Sequence, residues 1–278
     1  MSVPAPRSIL VTGCSSGIGL DAATTLAARG WTVFAACRKA EDCVRLRDRG
    51  FHAPRIDYED PRTIPTALEE VWPVTGGRLD ALFNNGAYAI PGLVEDMPTD
   101  ALRAIFEANF FGWHELTRCV IPTMRAQGSG RIVQNSSVLG YAAAPWRGAY
   151  NATKFALEGL SDTLRMEMRG TGIHVSLIEP GPITSRIRVN SIPHFERWID
   201  WRASARRAQY EAELHDRLYR DRGRDTFELP PEAVVTRLAH AVESRRPRPR
   251  YYVTTPTHVA GAARRLLPTR AMDWLMAR

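Results

Sequence analysis

"SILVTGCSSGIGLDAATTLAARG", residues 8–30, is the stretch from which the fold can be read. Ser8 to Thr12 make a short, near-continuous apolar run rich in β-branched residues, as suits a strand buried on both faces. A glycine-rich turn follows at once and opens a helical pattern that ends at Gly30, where a helix C-terminus closes easily. Strand, glycine turn and helix in immediate succession are the context a nucleotide-binding loop requires. Gly13 permits the tight turn, Gly17 lets the backbone come close to a pyrophosphate, and Gly19 allows the helix to pack closely on the strand. The free N–H groups at the helix start can then hold the anion. The competing reading is that the glycines serve the turn alone. The spacing is T-G-x-x-x-G-I-G, which differs from G-x-G-x-x-G and from a P-loop, since no Gly-Lys-Ser/Thr follows.

The same alternation continues outward. "TVFAAC", "ALFNN", "RIVQNSS" and "IHVSLIEP" are further short apolar runs, with a weaker strand expected at "FHAPRID". Helical patterns lie between them: "AEDCVRLRDRG", "TIPTALEEVW", one long run from Thr99 to Gly128, and the stretch from Arg147 to Gly170. Gly50, Gly128 and Gly170 close helices as Gly30 does. Strands and helices in this order imply right-handed crossovers and an open α/β fold, doubly wound, with a mostly parallel sheet and helices on both faces. Such sheets bind ligands at the carboxyl ends of their strands.

With 278 residues, 44% hydrophobic and 24% charged, the chain can bury a large core, and no linker, repeat or low-complexity tract divides it. One domain over residues 1–278 is expected. No apolar run after a basic start suggests a signal peptide, and no window approaches a membrane span, so a cytoplasmic location is expected. Cys14, Cys37, Cys43 and Cys119 stand singly and no H-E-x-x-H occurs, so neither a disulfide framework nor a metal site is indicated. The net charge is +7, but arginine is about one residue in eight and is scattered along the chain, which argues against a nucleic-acid patch.

Chemistry enters with "GAYNATKFALEG", Gly148 to Gly159. It holds Tyr150 and, four residues on, Lys154, one of only two lysines in the chain. On a helix these two share a face. A free phenol has a pKa of about 10, and a nearby ammonium favours the phenolate and lowers it, which makes Tyr150 a usable acid and base.

These motifs together resemble the short-chain dehydrogenases and reductases, over most of the chain from Thr12 to about Thr184. Besides "TGCSSGIG" the resemblance rests on Asp57, "NNGA" at Asn84, Asn109 in the long helix, "NSS" ending at Ser137, Tyr150 with Lys154, and "PGPIT" from Pro180 to Thr184. Ser137 and Tyr150 stand thirteen residues apart, as in the family pattern. The resemblance implies a single-domain Rossmann fold. It also implies that Lys154 bonds the nicotinamide ribose, Ser137 bonds the substrate oxygen, and Asn109 holds a water in the proton relay. The implied cofactor contacts are Thr12, Gly13, Ser15, Ser16, Gly17, Ile18 and Gly19, then Arg38, Lys39, Asp57, Asn84 and Gly86, then Pro180, Gly181, Ile183 and Thr184, with Tyr150 and Lys154. The family usually has Asn-Asn-Ala-Gly where this chain has Asn84-Asn85-Gly86-Ala87. The backbone bordering adenine and ribose is affected, since alanine does not accept positive φ cheaply.

"GRIV", "SLIEPGPI" and "RRLLP" look like the NADP-dependent reductases of aldehydes, retinoids and steroids. "FAACRKAED" agrees with NADP(H): Cys37 stands where NAD-binding members carry an acidic residue, and Arg38 and Lys39 follow. Residues 185–228, with Phe195, Trp198, Trp201, Tyr210, Tyr219 and Phe227, are expected to cover an apolar substrate. Residues 255–278 form an amphipathic helical extension that docks on the domain, pairs subunits or lies on a membrane, in that order of preference. A homo-oligomer, simplest as a dimer, is expected. The competing functions are a non-catalytic cofactor-sensing protein and a sugar-nucleotide epimerase; the first would have lost Tyr, Lys or Ser, and the second typically carries T-G-x-x-G-x-x-G.

Overall fold

Side chains alternate across a strand, so one sheet can support two cores. In β1 (Ser8–Thr12), Ile9 and Val11 pack with Ala22 and Leu26 of helix Gly17–Ala28 and with Val234 and Leu238 of helix Glu232–Glu243. Leu10, between them, points to the other face. There it joins Ile64 and Val71 of helix Thr63–Thr75, Leu116 and Val120 of helix Gly112–Ala126, and Leu157 of helix Gly148–Glu167. The structure, a computed structural model, describes residues 6–220, 223 and 225–276.

β1, β2 (Thr32–Ala36), β3 (Ala81–Asn84), β4 (Gly130–Asn135), β5 (Ile173–Glu179) and β6 (Arg250–Tyr252) form one parallel sheet in the order β2-β1-β3-β4-β5-β6. The chain runs outward from β1 to β2 and returns to β3 on the other side of β1. That reversal opens a crevice beyond the ends of β1 and β3, where an open sheet takes its ligand.

The five strong apolar runs are strands and the four glycine-closed helices end as expected, each closing glycine taking a positive φ. Three elements differ. "FHAPRID" makes only two isolated bridges, His52 to Phe34 and Arg55 to Cys37, because Pro54 between them has no N–H to donate to a ladder. β6 went unforeseen: three residues set among prolines and arginines carry no readable period. The long helix is broken into Thr99–Phe106, a π turn at Glu107–Phe111, and Gly112–Ala126. Such turns widen the helix locally and often sit at functional sites. This one contains Asn109.

Residues 185–228 build helix Ile187–Trp198 and a second helical stretch from Arg207 to Tyr219. Phe195 and Tyr210 are core residues there, each 1% exposed, whereas Trp198 and Trp201 are partly buried at its edge. The C-terminal extension divides at Pro268 into helices Thr255–Leu266 and Thr269–Met276. It docks on the domain, with Met272 packed beside Ala142 and Ala260. Among the described residues, no helix is long and apolar enough to cross a membrane.

Candidate active site

The loop after β1 is shaped by close contact. Gly13 takes φ +71°, and a Cβ there would lie 2.6 Å from Cα of Gly86; a Cβ on Gly19 would lie 2.3 Å from the carbonyl oxygen of Gly13. No other residue fits either place without moving backbone. Ser15, Ser16, Gly17 and Ile18 are partly exposed at the crest. Ser16 occupies the N-cap of helix Gly17–Ala28 without a side-chain capping bond, and the first turn has no acidic residue. The N–H groups at this helix end therefore remain for an anion, and the loop fits the pyrophosphate of a dinucleotide. The reversed Gly86-Ala87 order does not strain it, because among the described non-glycine residues only Trp146 has positive φ. Gly86 itself lies against Gly13, where a Cβ would come within 3.2 Å of the Gly13 nitrogen.

Two residues expected to touch cofactor serve the scaffold with their side chains. The Thr12 hydroxyl accepts from the N–H of Asn85 at 2.9 Å and of Gly86 at 3.1 Å, tying β1 to the loop after β3. Asn84 is fully buried; its amide donates to Thr117 and Gln134, each at 3.0 Å, and accepts from the Tyr58 hydroxyl at 2.9 Å. Asn85 was not singled out in the sequence, yet its amide donates to the Thr12 carbonyl at 3.0 Å and accepts from Asn135 at 2.8 Å. It thus links the loops that follow β1, β3 and β4. Tyr58 was missed as well, and nothing local marks it.

Ser137, Tyr150 and Lys154 meet at the mouth of the crevice. Ser137 follows β4, and its Oγ accepts from the Leu139 N–H at 3.1 Å. Lys154 is 1% exposed; its Nζ donates to the Asn135 carbonyl at 2.8 Å and stands 4.2 Å from the centre of the Trp113 ring and 5.5 Å from that of Tyr150. The expected fall in the Tyr150 pKa does not occur. Burial raises it to about 12, against the smaller downward pulls of Ser137, as hydrogen-bond donor, and of Arg147. Lys154 does not offset this, because burial pushes it down to about 7 against the upward pull of Glu158. An ammonium only half populated at neutral pH is a weak electrostatic neighbour.

This buried lysine gives stability a testable pH dependence. Its folded pKa lies below the unfolded value of about 10.4, so between about pH 7 and pH 10 the unfolded chain binds the extra proton and stability rises with pH. Wild type should gain a few kcal/mol on Lys154→Met across that window, read from urea midpoints; a constant difference would show that Lys154 stays charged in the fold.

Asn109, in the π turn, is held by the loop after β3. Its side chain donates to the Tyr88 carbonyl at 2.8 Å and accepts from the Tyr88 N–H at 3.1 Å. With its amide bonded to this backbone, the side chain positions the loop after β3.

At the adenosine end, Cys37 is buried and its thiol is pushed up to about 12 by burial, so it brings no negative charge. Arg38 is exposed, and its guanidinium makes no ion pair among the described residues. Lys39 stands 3.6 Å from Glu41. The Asp57 carboxylate accepts from the Glu59 N–H at 3.2 Å and pairs with Arg55 at 3.4 Å. Beyond β5, Gly181 is pressed against Thr254, where a Cβ would lie 2.2 Å from Oγ1. The Pro180 carbonyl accepts from the Val138 N–H at 2.8 Å, Ile183 bridges to Leu229, and the Thr184 hydroxyl donates to Glu228 at 2.6 Å. Helix Ile187–Trp198 reaches over this end of the sheet, with His194 stacked on Tyr88 at 3.8 Å.

The family model of the short chain dehydrogenases matches residues 7–194. The chain is 41% identical over 270 residues to the uncharacterized oxidoreductase YbbO of Escherichia coli (strain K12), covering 97% of this chain and 94% of that protein. It is 31% identical over 281 residues to the NADPH-dependent 3-dehydrocapnine reductase of Ornithobacterium rhinotracheale, covering 96% and 95%. The crystal structure of a short-chain dehydrogenase from Streptomyces avermitilis superposes with a TM-score of 0.78 at 27% identity, covering 97% of this chain and 95% of that one. By the family model and by its relatives over nearly the whole length, the chain belongs to the short-chain dehydrogenase family of oxidoreductases.

Proposed function

We propose that the protein is an NADP(H)-dependent oxidoreductase that interconverts an apolar aldehyde or ketone with its alcohol, Tyr150 acting as acid and base. The observation that carries this reading is the meeting of Ser137, Tyr150 and Lys154 at the crevice mouth, one side chain from the end of β4 and two from a single helix face. Reduction of a carbonyl needs a hydride at carbon and a proton at oxygen. Reduced nicotinamide supplies the hydride when bound, held by the loop from Gly13 to Gly19, by Arg38 and by Lys154. Ser137 orients the carbonyl oxygen. Tyr150, neutral at physiological pH, gives that oxygen its proton.

Preference for NADP(H) is supported by the unpaired Arg38 and the uncharged Cys37. The apolar substrate is supported by Ile90, Leu93, Ile192, Phe195 and Leu214, which pack in one cluster with Tyr150. A non-catalytic sensor is disfavoured, because all three reacting side chains are present and brought together. The deciding experiment follows loss of reduced-nicotinamide absorbance with NADPH and with NADH, against aliphatic, aromatic, retinoid and steroid carbonyls. Turnover of none of them would refute the proposed activity.

Trp198, at the edge of that cluster, supplies a separate check. Trp198→Ala should raise KM for bulky carbonyls several-fold more than for small ones while Tm changes little. A fall in Tm with unchanged selectivity would make Trp198 a packing residue only.

A further inference from the structure

Arg147 is the last residue before helix Gly148–Glu167 and lies three positions ahead of Tyr150. It is set there by an uncommon turn: the preceding Trp146 takes φ +65°, a conformation that is costly for a bulky residue unless its surroundings enforce it. They do so through the Trp146 carbonyl, which accepts from the Gly92 N–H at 3.1 Å, and the indole N–H, which donates to Glu213 at 3.1 Å.

The residue that this turn delivers is partly buried, yet among the described residues its guanidinium has no hydrogen bond and no ion pair. Its charged neighbours worsen the imbalance. Arg188 and Arg217 act on it as like charges, and Tyr150 is the one group that favours its charged form. Among the described residues no carboxylate acts on it to offset them. A partly buried cation among like charges and without a partner costs free energy, and a ligand anion lowers that cost. Trp146, Ala149 and Tyr150, which flank it in the chain, belong to one apolar cluster, so the cation borders the apolar surroundings of Tyr150.

We infer that the substrate is an apolar carbonyl compound bearing an acidic group, a carboxylate or another oxyanion, and that Arg147 is the residue that holds this group. Arg188 and Arg217 add to the positive field. The inference rests on the proposed carbonyl chemistry for the identity of the reacting group, but anion binding itself can be measured without turnover.

Calorimetric titration of the full chain with laurate, methyl laurate, dodecanesulfonate and dodecyl phosphate provides that measurement. Wild type should bind at least one of the three anions at least tenfold tighter than the neutral ester, and Arg147→Met should remove at least tenfold of that preference. The ranking of the three anions identifies the acid class. Arg264→Met, on the exposed face of helix Thr255–Leu266, controls for general attraction to a basic protein. Equal binding of anions and ester by wild type overturns the inference, as does an equal loss in Arg147→Met and Arg264→Met. In turnover, the acid-to-ester ratio of kcat/KM for matched oxo-fatty acids and their methyl esters should fall at least tenfold in Arg147→Met. If laurate binds as expected and no carbonyl is reduced, the anion site stands and the proposed reaction fails.

Discussion

Tyr150→Phe lowers turnover by roughly 10²-fold to 10⁴-fold, the usual range for loss of an acid/base group, while NADPH binding changes little. The ring keeps its place, because its packing beside Ala149, Leu93 and Ile90 does not involve the hydroxyl. What disappears is the proposed proton donor. Burial makes that donor more dependable in one direction than in the other. With a pKa near 12, Tyr150 is protonated at every physiological pH and ready to complete reduction, whereas alcohol oxidation needs the phenolate. The free-enzyme oxidation rate should therefore climb about tenfold per pH unit over the neutral and mildly alkaline range, and reduction should not. Near wild-type turnover in purified Tyr150→Phe would remove Tyr150 from the mechanism. A plateau in the oxidation profile below about pH 8 would show that the bound state depresses the phenol, with Lys154 as the group to test next. Lys154→Arg should also fail, since a planar guanidinium cannot fit where a compact ammonium meets the Asn135 carbonyl and the Trp113 ring.

The contrast between what the sequence revealed about Tyr150 and what it hid is instructive. Its place beside Lys154 follows from helical spacing alone, a local property. The direction of its pKa follows from how much protein surrounds it, a tertiary property that no spacing encodes. The same division holds elsewhere. Gly13 and Gly19 were legible because a turn and a helix start stand next to each other in the chain. Asn85 and Tyr58 were not, because their work is to join strand ends 46 to 73 residues apart. Arg147 was hidden in another way: where arginine is about one residue in eight, one more carries no signal until its lack of a partner among the described residues is seen.

Cofactor choice turns on whether Arg38 escapes that same anonymity. NAD-binding relatives place an acidic side chain near the end of the second strand, where it accepts from the ribose 2′-hydroxyl and repels a 2′-phosphate. Here Cys37 is buried and neutral, and the first exposed side chain after β2 is Arg38. Arg38 acts on Glu59, whose carboxyl is raised by burial first and by Asp57 second, with Arg38 pulling the other way. Among the described residues Arg38 makes no salt bridge that must break before the guanidinium can turn its planar fork to phosphate oxygens. Lys39 is less available because Glu41 stands beside it, so most of the discrimination should fall on Arg38. A charge-assisted hydrogen bond contributes about 1.5 to 3 kcal/mol, which corresponds to roughly a 10-fold to 100-fold preference for NADPH over NADH. Arg38→Ala should weaken NADPH binding by about that factor and leave NADH binding nearly unchanged, as fluorescence titration of both cofactors into both proteins would read. Equal losses for the two would make Arg38 a surface residue with no role in selection, and a wild-type preference for NADH would overturn the NADP(H) assignment. Because the guanidinium is exposed, its attraction for the phosphate should also weaken as salt is raised, and a preference insensitive to ionic strength would point to shape rather than charge as its source.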